Sequence, residues 1–109
     1  MQKIRLAVPT KGKEGMKDVV SEVFGRAKTF TIMEISEDRI DSVEVVENPA
    51  ASYKHGAGPV VVRMLANKGV TMVASKEFGP GASTLLEQHN IKKKVVKAGI
   101  SVAEAVETC

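Results

Sequence analysis

Residues 48–62, NPAASYKHGAGPVVV, join a turn to a glycine-rich loop that runs directly into an apolar segment. Gly56 and Gly58 can adopt backbone angles that other residues resist. Pro59 suits the first position of a helix, because its missing N–H would be unpaired there in any case. The stretch therefore predicts a loop that ends in a helix, with exposed backbone N–H groups at the helix start.

Two side chains beside these glycines add positive charge or a metal ligand. Lys54 would reinforce the partial positive charge of the helix start, and His55 offers either a neutral ligating nitrogen or, when protonated, a second cation. The loop therefore predicts capture of a small anionic or metal-containing ligand, with His55 as the candidate metal ligand. The alternative is a purely structural role, since Gly-Pro pairs commonly mark the start of a helix and loop histidines are commonly solvated.

The composition bounds the class of protein. A chain of 109 residues with a hydrophobic fraction of 43% fits one globular domain over residues 1–109. No apolar run is long enough to cross a bilayer and no signal-peptide pattern opens the chain, so we expect a cytoplasmic protein without a membrane partner. The net charge of +3 comes from basic and acidic residues spread along the chain, which does not indicate specific nucleic-acid binding.

Cysteine usage restricts the metal chemistry. Cys109 is the only cysteine, so internal disulfides, zinc knuckles and cysteine-ligated clusters within one chain are excluded. Its thiol could assist ligand binding only through a homodimer, and a mobile terminal thiol is the alternative.

Hydrophobic periodicity predicts the order strand, hairpin, helix, strand, helix, strand, helix. We expect strands at 4–8, 29–35, 39–47, 70–75 and 91–96, a helical turn at 16–23, and helices at 59–68, after 76–82 and from 101. Pro9 should end the first strand, and Ile40, Val43 and Val45 should point inward. Right-handed crossovers would place helices on both faces of a mixed sheet in this α/β fold.

Ligand loops in such sheets lie beyond the carboxyl ends of parallel strands. If the first and fourth strands are adjacent and parallel, the loops TKGKEG at 10–15 and KEFGPGA at 76–82 share one rim, which HGAGP at 55–59 would join. The positive side chains of this rim would be Lys11, Lys13, Arg26, Lys54, His55 and Lys76.

Catalytic motifs are missing from the sequence. HGAGP lacks the third glycine of a dinucleotide fingerprint, and no Walker lysine motif occurs. No serine has a nucleophile-elbow context, and neither histidine belongs to a recognisable triad. The first strand carries no carboxylate, which argues against two-metal nuclease chemistry. We therefore predict a binding protein and not an enzyme.

Four motifs occur in a fixed order: SEVFGRA at 21–27, ENPAA at 47–51, HGAGP at 55–59 and FGPGA at 78–82. Together they resemble the dinitrogenase iron-molybdenum cofactor biosynthesis family of NifX-like domains, which also occur at the C-terminus of a cofactor-assembly enzyme. The resemblance covers nearly the whole chain. It implies a three-layer α/β/α fold with a five-stranded mixed sheet and a ribonuclease-H-like motif, and a role in binding iron-sulfur or iron-molybdenum clusters.

The residues and the resemblance lead to one preferred hypothesis. The chain would be a non-enzymatic carrier for an anionic metallocluster in cofactor assembly or storage, with cofactor-assembly proteins as partners and a homodimer as a possible state. The alternative is a regulatory or interaction module that binds a phosphate-bearing metabolite or a protein through the same rim. The expected binding residues, with His55 as metal ligand, are Lys11, Phe24, Gly25, Arg26, Lys54, His55, Gly56, Gly58, Gly79 and Gly81.

Overall fold

The computed structural model of the chain describes residues 3–108, apart from the side chain of Pro80. Its strands and helices are β1 (Lys3–Thr10), β2 (Thr29–Ser36), β3 (Arg39–Glu47), α1 (Ala57–Asn67), β4 (Met72–Ser75), α2 (Pro80–Gln88), β5 (Lys92–Val95) and α3 (Val102–Glu107). The sheet order is β3-β2-β1-β4-β5, in which β2 is antiparallel to its neighbours and β4 is parallel to β1 and β5. The predicted five-stranded mixed sheet is confirmed, and the first and fourth strands are adjacent and parallel.

Apolar side chains alternate along the strands and build a core on each face of the sheet. In β1, Ala7 belongs to the core that contains Val61 of α1 and Leu86 of α2. Its neighbour Leu6 belongs to the core that contains Val102 of α3. Helices therefore cover both faces and make the predicted three layers, while the ribonuclease-H-like label stays a prediction.

The first strand is longer than predicted. Pro9 does not end it, because β1 continues to Thr10 and Pro9 pairs with Phe30 of β2. On its other side β1 pairs with β4 only at Leu6 and Ala7. Pro9 thus lies beyond that ladder, where its missing N–H breaks no ladder hydrogen bond.

The helical turn predicted at 16–23 is reduced to a single 3-10 turn at Gly15–Lys17. The Asp18 carboxylate accepts hydrogen bonds from the Glu14 N–H at 3.0 Å and from the Val19 N–H at 2.8 Å. Asp18 itself is extended, with ψ 169°. A side chain that takes up these backbone donors competes with a helix and ends it.

β3 is an edge strand, and its apolar side chains are more exposed than predicted. Ile40 and Val43 remain 37% and 42% exposed, and Val45 is half-buried. Among the described residues, the core beneath α3 takes its strand side chains from β1, β2 and β4. β3 therefore lies at the margin of this layer, and the prediction that Ile40 and Val43 point inward was wrong.

Helix α1 begins two residues before the predicted start. Gly56, with φ 74°, is its N-cap, and Ala57 is its first residue. Pro59 remains in the first turn, where no intrahelical N–H bond is required. Gly69, with φ 78°, follows the helix and confirms the predicted stop. At 11 residues α1 is the longest helix of residues 3–108, and no helix described there could cross a membrane.

The carboxyl-terminal elements follow the prediction closely. β5 forms the other edge of the sheet and carries Lys92–Lys94, which suits an edge that must avoid pairing with other chains. The Ser101 side chain accepts a hydrogen bond from the Glu104 N–H at 3.1 Å and caps α3. The Ser-x-x-Glu signal for this helix start is thereby confirmed.

Candidate functional site

The segment 23–26 forms one wall of a pocket and is anchored by the ring of Phe24. This ring is 2% exposed and lies edge-on to Phe30, with 5.6 Å between ring centroids. It also lies 5.8 Å from Phe78. Such aromatic pairs stabilise a contact beyond the area they bury. Since Phe30 belongs to β2 and Phe78 precedes α2, Phe24 ties this wall both to the sheet and to the second helix start.

The three walls of the pocket approach one another through residues that lack large side chains. A Cβ at Gly25 would lie 3.2 Å from the Gly58 nitrogen and 3.4 Å from the Ala57 Cβ. A Cβ at Gly58 would lie 3.3 Å from the Ala82 Cβ. Gly25 and Gly58 are therefore required for close packing of the backbone, so their role differs from that of glycines that face open space.

Two helix N-termini open onto the same pocket. Gly56 precedes α1 with φ 74°, and Gly79 precedes α2 with φ 77°, conformations that glycine adopts without strain. In the part of the chain that the structure describes, no side chain caps either helix. The first-turn N–H groups therefore lack the acceptor that a serine or aspartate cap supplies, and each N-terminus carries the equivalent of about half a positive charge.

The pocket between these walls has a volume of about 360 Å³. Three chain segments supply its lining: Val23, Phe24, Gly25 and Arg26; Lys54, His55, Gly56, Ala57, Gly58 and Pro59; and Glu77, Phe78, Gly79, Gly81 and Ala82. This volume lies within the range of small-molecule sites in proteins, about 300–1,000 Å³. The structure thus brings together every predicted binding residue except Lys11.

The charges of the lining are unequal. Arg26 and Lys54 are exposed cations, and within residues 3–108 neither takes part in an ion pair. His55 is exposed beside them, and Glu77 supplies the opposing carboxylate. Two free cations with two helix N-termini outweigh one carboxylate, so the pocket attracts an anion.

The loop after β1 lies outside this pocket, so Lys11 and Lys13 do not line it. Lys13 instead forms an ion pair with Glu47 at 3.3 Å. Of the three loops predicted to share one rim, only those at 55–59 and 76–82 contribute to the pocket. Lys76 faces away as well, into a separate groove that it shares with Glu22.

Six lining residues were not named among the expected binding residues, although all but Val23 belong to the loops predicted at the rim: Val23, Ala57, Pro59, Glu77, Phe78 and Ala82. The Phe-Gly pair occurs twice, at 24–25 and at 78–79, and both copies reach the pocket. That repetition was the available signal for Phe78. For Glu77 and Ala82 the sequence carries no signal beyond their position next to the glycines.

The donor set for a metal is sparse. Among residues 3–108, no three His, Cys, Asp or Glu side chains come together to hold a metal ion. His55 is exposed at the pocket, so it can reach a metal carried by a bound group. The proposed contribution of Cys109 through a dimer falls on a residue outside the described part of the chain.

Fold and pocket together define an α/β domain with a glycine-lined, cationic pocket between two helix N-termini. A family model described as dinitrogenase iron-molybdenum cofactor matches residues 2–109, so the chain belongs to this family. The resemblance seen in the four motifs is confirmed.

The chain is also similar in sequence and structure to known proteins. An uncharacterized protein of Methanocaldococcus jannaschii is 35% identical over 72 residues, which are 66% of this chain and 61% of that protein. The chain therefore matches less than two thirds of that relative's length. The apo form of the orange protein from Desulfovibrio gigas is 31% identical with a TM-score of 0.85, covering 94% of this chain and 83% of that one.

A Thermotoga protein assigned to the DUF35 family is also similar in structure. It is 35% identical with a TM-score of 0.79, covering 96% of this chain and 85% of that one. Identity above 30% across nearly the whole domain shows that sequence, and not the fold alone, is shared with these proteins.

Proposed function

We propose that the chain is a non-enzymatic binding or carrier protein for an anionic iron-sulfur or iron-molybdenum type cluster, used in cofactor assembly or storage. The observation that carries this proposal is the convergence on one pocket of two helix N-termini and two cations, Arg26 and Lys54, for which residues 3–108 supply neither a side-chain cap nor an ion-pair partner. Such donors bind an anion without needing a covalent bond to it.

The chemistry of the lining favours a cluster that brings its own sulfur. The described residues supply no thiolate, and a single imidazole, His55, can ligate an exposed metal. Backbone N–H groups and cations would neutralise the charge of the sulfides, and Phe24 and Phe78 offer an apolar boundary. We therefore expect reversible binding, as a carrier requires.

Similar proteins support the choice of cargo. The family is described by the iron-molybdenum cofactor of dinitrogenase, and the orange protein of D. gigas has been described in an apo form. In this proposal the chain works in the cytoplasm and exchanges its cargo with cofactor-assembly proteins. Whether it does so as a homodimer is tested by size-exclusion chromatography with and without the cargo.

The test is an anaerobic titration monitored by visible absorbance. Two probes are used separately: tetrathiomolybdate, a molybdenum–sulfide dianion, and ferrous iron with sulfide for iron-sulfur reconstitution. Uptake at one site per chain, weakened in His55→Ala, is the expected result. His89→Ala is the matched control, because His89 follows α2 and does not line the pocket.

Two outcomes would contradict the proposal. The first is failure of both probes to bind under anaerobic conditions. The second is stabilisation of the metal-free protein by a nucleotide or another phosphate-bearing metabolite with no response to either probe, since this would favour a regulatory module acting through the same pocket.

A further inference from the structure

Asn48 is buried beside the pocket but does not line it. It is 6% exposed, and its side-chain amide donates two hydrogen bonds, to the Gly25 carbonyl at 2.9 Å and to the Ala27 carbonyl at 2.8 Å. Its side-chain oxygen accepts from the Ala50 N–H at 2.9 Å. Both N–H donors and the carbonyl oxygen of the side chain are thus engaged with backbone groups.

These bonds connect two different walls of the pocket. The carbonyls belong to the segment that contains Arg26. The Ala50 N–H opens the turn that leads to Lys54, and in this turn the Tyr53 N–H donates to the Ala50 carbonyl at 3.0 Å. The Asn48 side chain thereby joins the wall that carries Arg26 to the turn that leads to Lys54, next to the backbone bond from the Asn48 N–H to the Lys28 carbonyl at 3.1 Å.

The third wall packs against the other two, through Phe24 on Phe78 and Gly58 on Ala82, but its own hydrogen bond does not involve Asn48. There the buried Ser75 hydroxyl donates to the Glu77 carbonyl at 2.8 Å, immediately before Phe78. This difference makes the role of Asn48 testable, because its loss should disturb the two walls that it bonds directly more than the start of α2.

We infer that Asn48 is a positioning residue that sets the spacing between the two cationic walls of the pocket, an inference that rests on the proposed function. Asparagine is required because the site needs two donors and one acceptor in one planar group. Aspartate has a similar shape but no N–H, and its carboxylate would face the carbonyls of Gly25 and Ala27.

The experiment compares Asn48→Asp and Asn48→Ala with Met33→Ala as the destabilised control. Met33 is fully buried in the core on the opposite face of the sheet. Tetrathiomolybdate affinity is measured at a temperature at which every variant is folded. We expect Asn48→Asp to weaken binding about tenfold, because Arg26 and Lys54 would no longer be held at the spacing that the cargo needs. Met33→Ala should lower the unfolding temperature and leave the affinity near that of the wild type.

A second readout does not depend on the cargo. In amide NMR spectra of the free protein, Asn48→Asp should shift the signals of 25–27 and 50–54 clearly more than those of 81–85. Shifts spread evenly over the domain, or an affinity loss no larger than that of Met33→Ala, would overturn the inference. If the wild type binds neither probe, the proposed function fails, and the NMR pattern alone decides whether Asn48 couples the two walls.

Discussion

Gly81 provides a direct test of the pocket, because a methyl group added there meets no neighbouring atom. Nothing lies within 4 Å of a Cβ at this position, and its φ is not positive. Gly81 lies in the first turn of α2, so Gly81→Ala should stabilise the fold by reducing the backbone entropy of the unfolded chain. We expect about 0.5 kcal/mol, the lower end for such changes, because helix ends fray. The unfolding temperature should rise by about 2–4 °C.

The same methyl group should weaken cargo binding. It projects from the wall of a pocket of about 360 Å³ whose occupant is proposed to approach the backbone. A methyl group that crowds the bound cargo should cost about 1–3 kcal/mol, as overpacking does in a protein core. This corresponds to an increase of about 5- to 150-fold in Kd for tetrathiomolybdate. Anaerobic absorbance titration measures the Kd, and thermal unfolding of the free protein measures the stability.

Gln88→Ala is the matched control, since Gln88 is exposed at the other end of α2 and does not line the pocket. It should leave the Kd unchanged. A Gly81→Ala variant with a raised unfolding temperature that still binds tetrathiomolybdate as tightly as the wild type would contradict binding of the cargo against this backbone.

Three further results are expected. Arg26→Ala removes an exposed cation, so it should raise the Kd for tetrathiomolybdate about fivefold and make the Kd less dependent on salt. Lys11→Ala should change neither quantity. Equal effects of the two variants would contradict the placement of the pocket. A hydrogen bond from Ser36, and to a smaller extent one from Arg39, lower the pKa of Asp41 below its ordinary value of 3.8. The pKa of Asp41 is therefore lower in the folded than in the unfolded protein, which stabilises the fold. This stabilisation is present above pH 3.8 and is lost as the pH falls through the lowered pKa. NMR titration should show a higher Asp41 pKa in Ser36→Ala, and an unchanged value would contradict the stated cause. Leu65→Ala should cost about 2–5 kcal/mol in urea unfolding, since the side chain is fully buried, and a loss below about 1 kcal/mol would contradict the described core.

Elements specified by neighbouring residues could be predicted from sequence. The glycine after α1, the Gly-Pro start of α2 and the serine cap of α3 act within a few residues, and all three are present in the structure. The turn predicted at 16–23 failed, because the Asp18 carboxylate takes the backbone donors around it. The exposure of Ile40 depends on which strand forms the edge, and periodicity alone does not contain that information.

Some features of the site could likewise be predicted from sequence, and others could not. Glycine motifs that follow parallel strands were expected to converge, since strand order alone places their loops at one edge. The exclusion of Lys11 and the inclusion of Glu77 depend on the path of each loop, which is set by long-range contacts such as the bond from Thr29 to the Gly12 carbonyl. No local pattern encodes such a path.

The close packing of Gly25, Gly58 and Ala82 has a consequence for folding. These residues come from distant parts of the chain, and contacts between distant parts form slowly because the intervening loops must first close. A molecule with a complete sheet but undocked loops would have no cavity, so only finished molecules would take up cargo. Cargo binding would then stabilise the fully folded molecules by mass action, and every molecule that carries cargo would be fully folded.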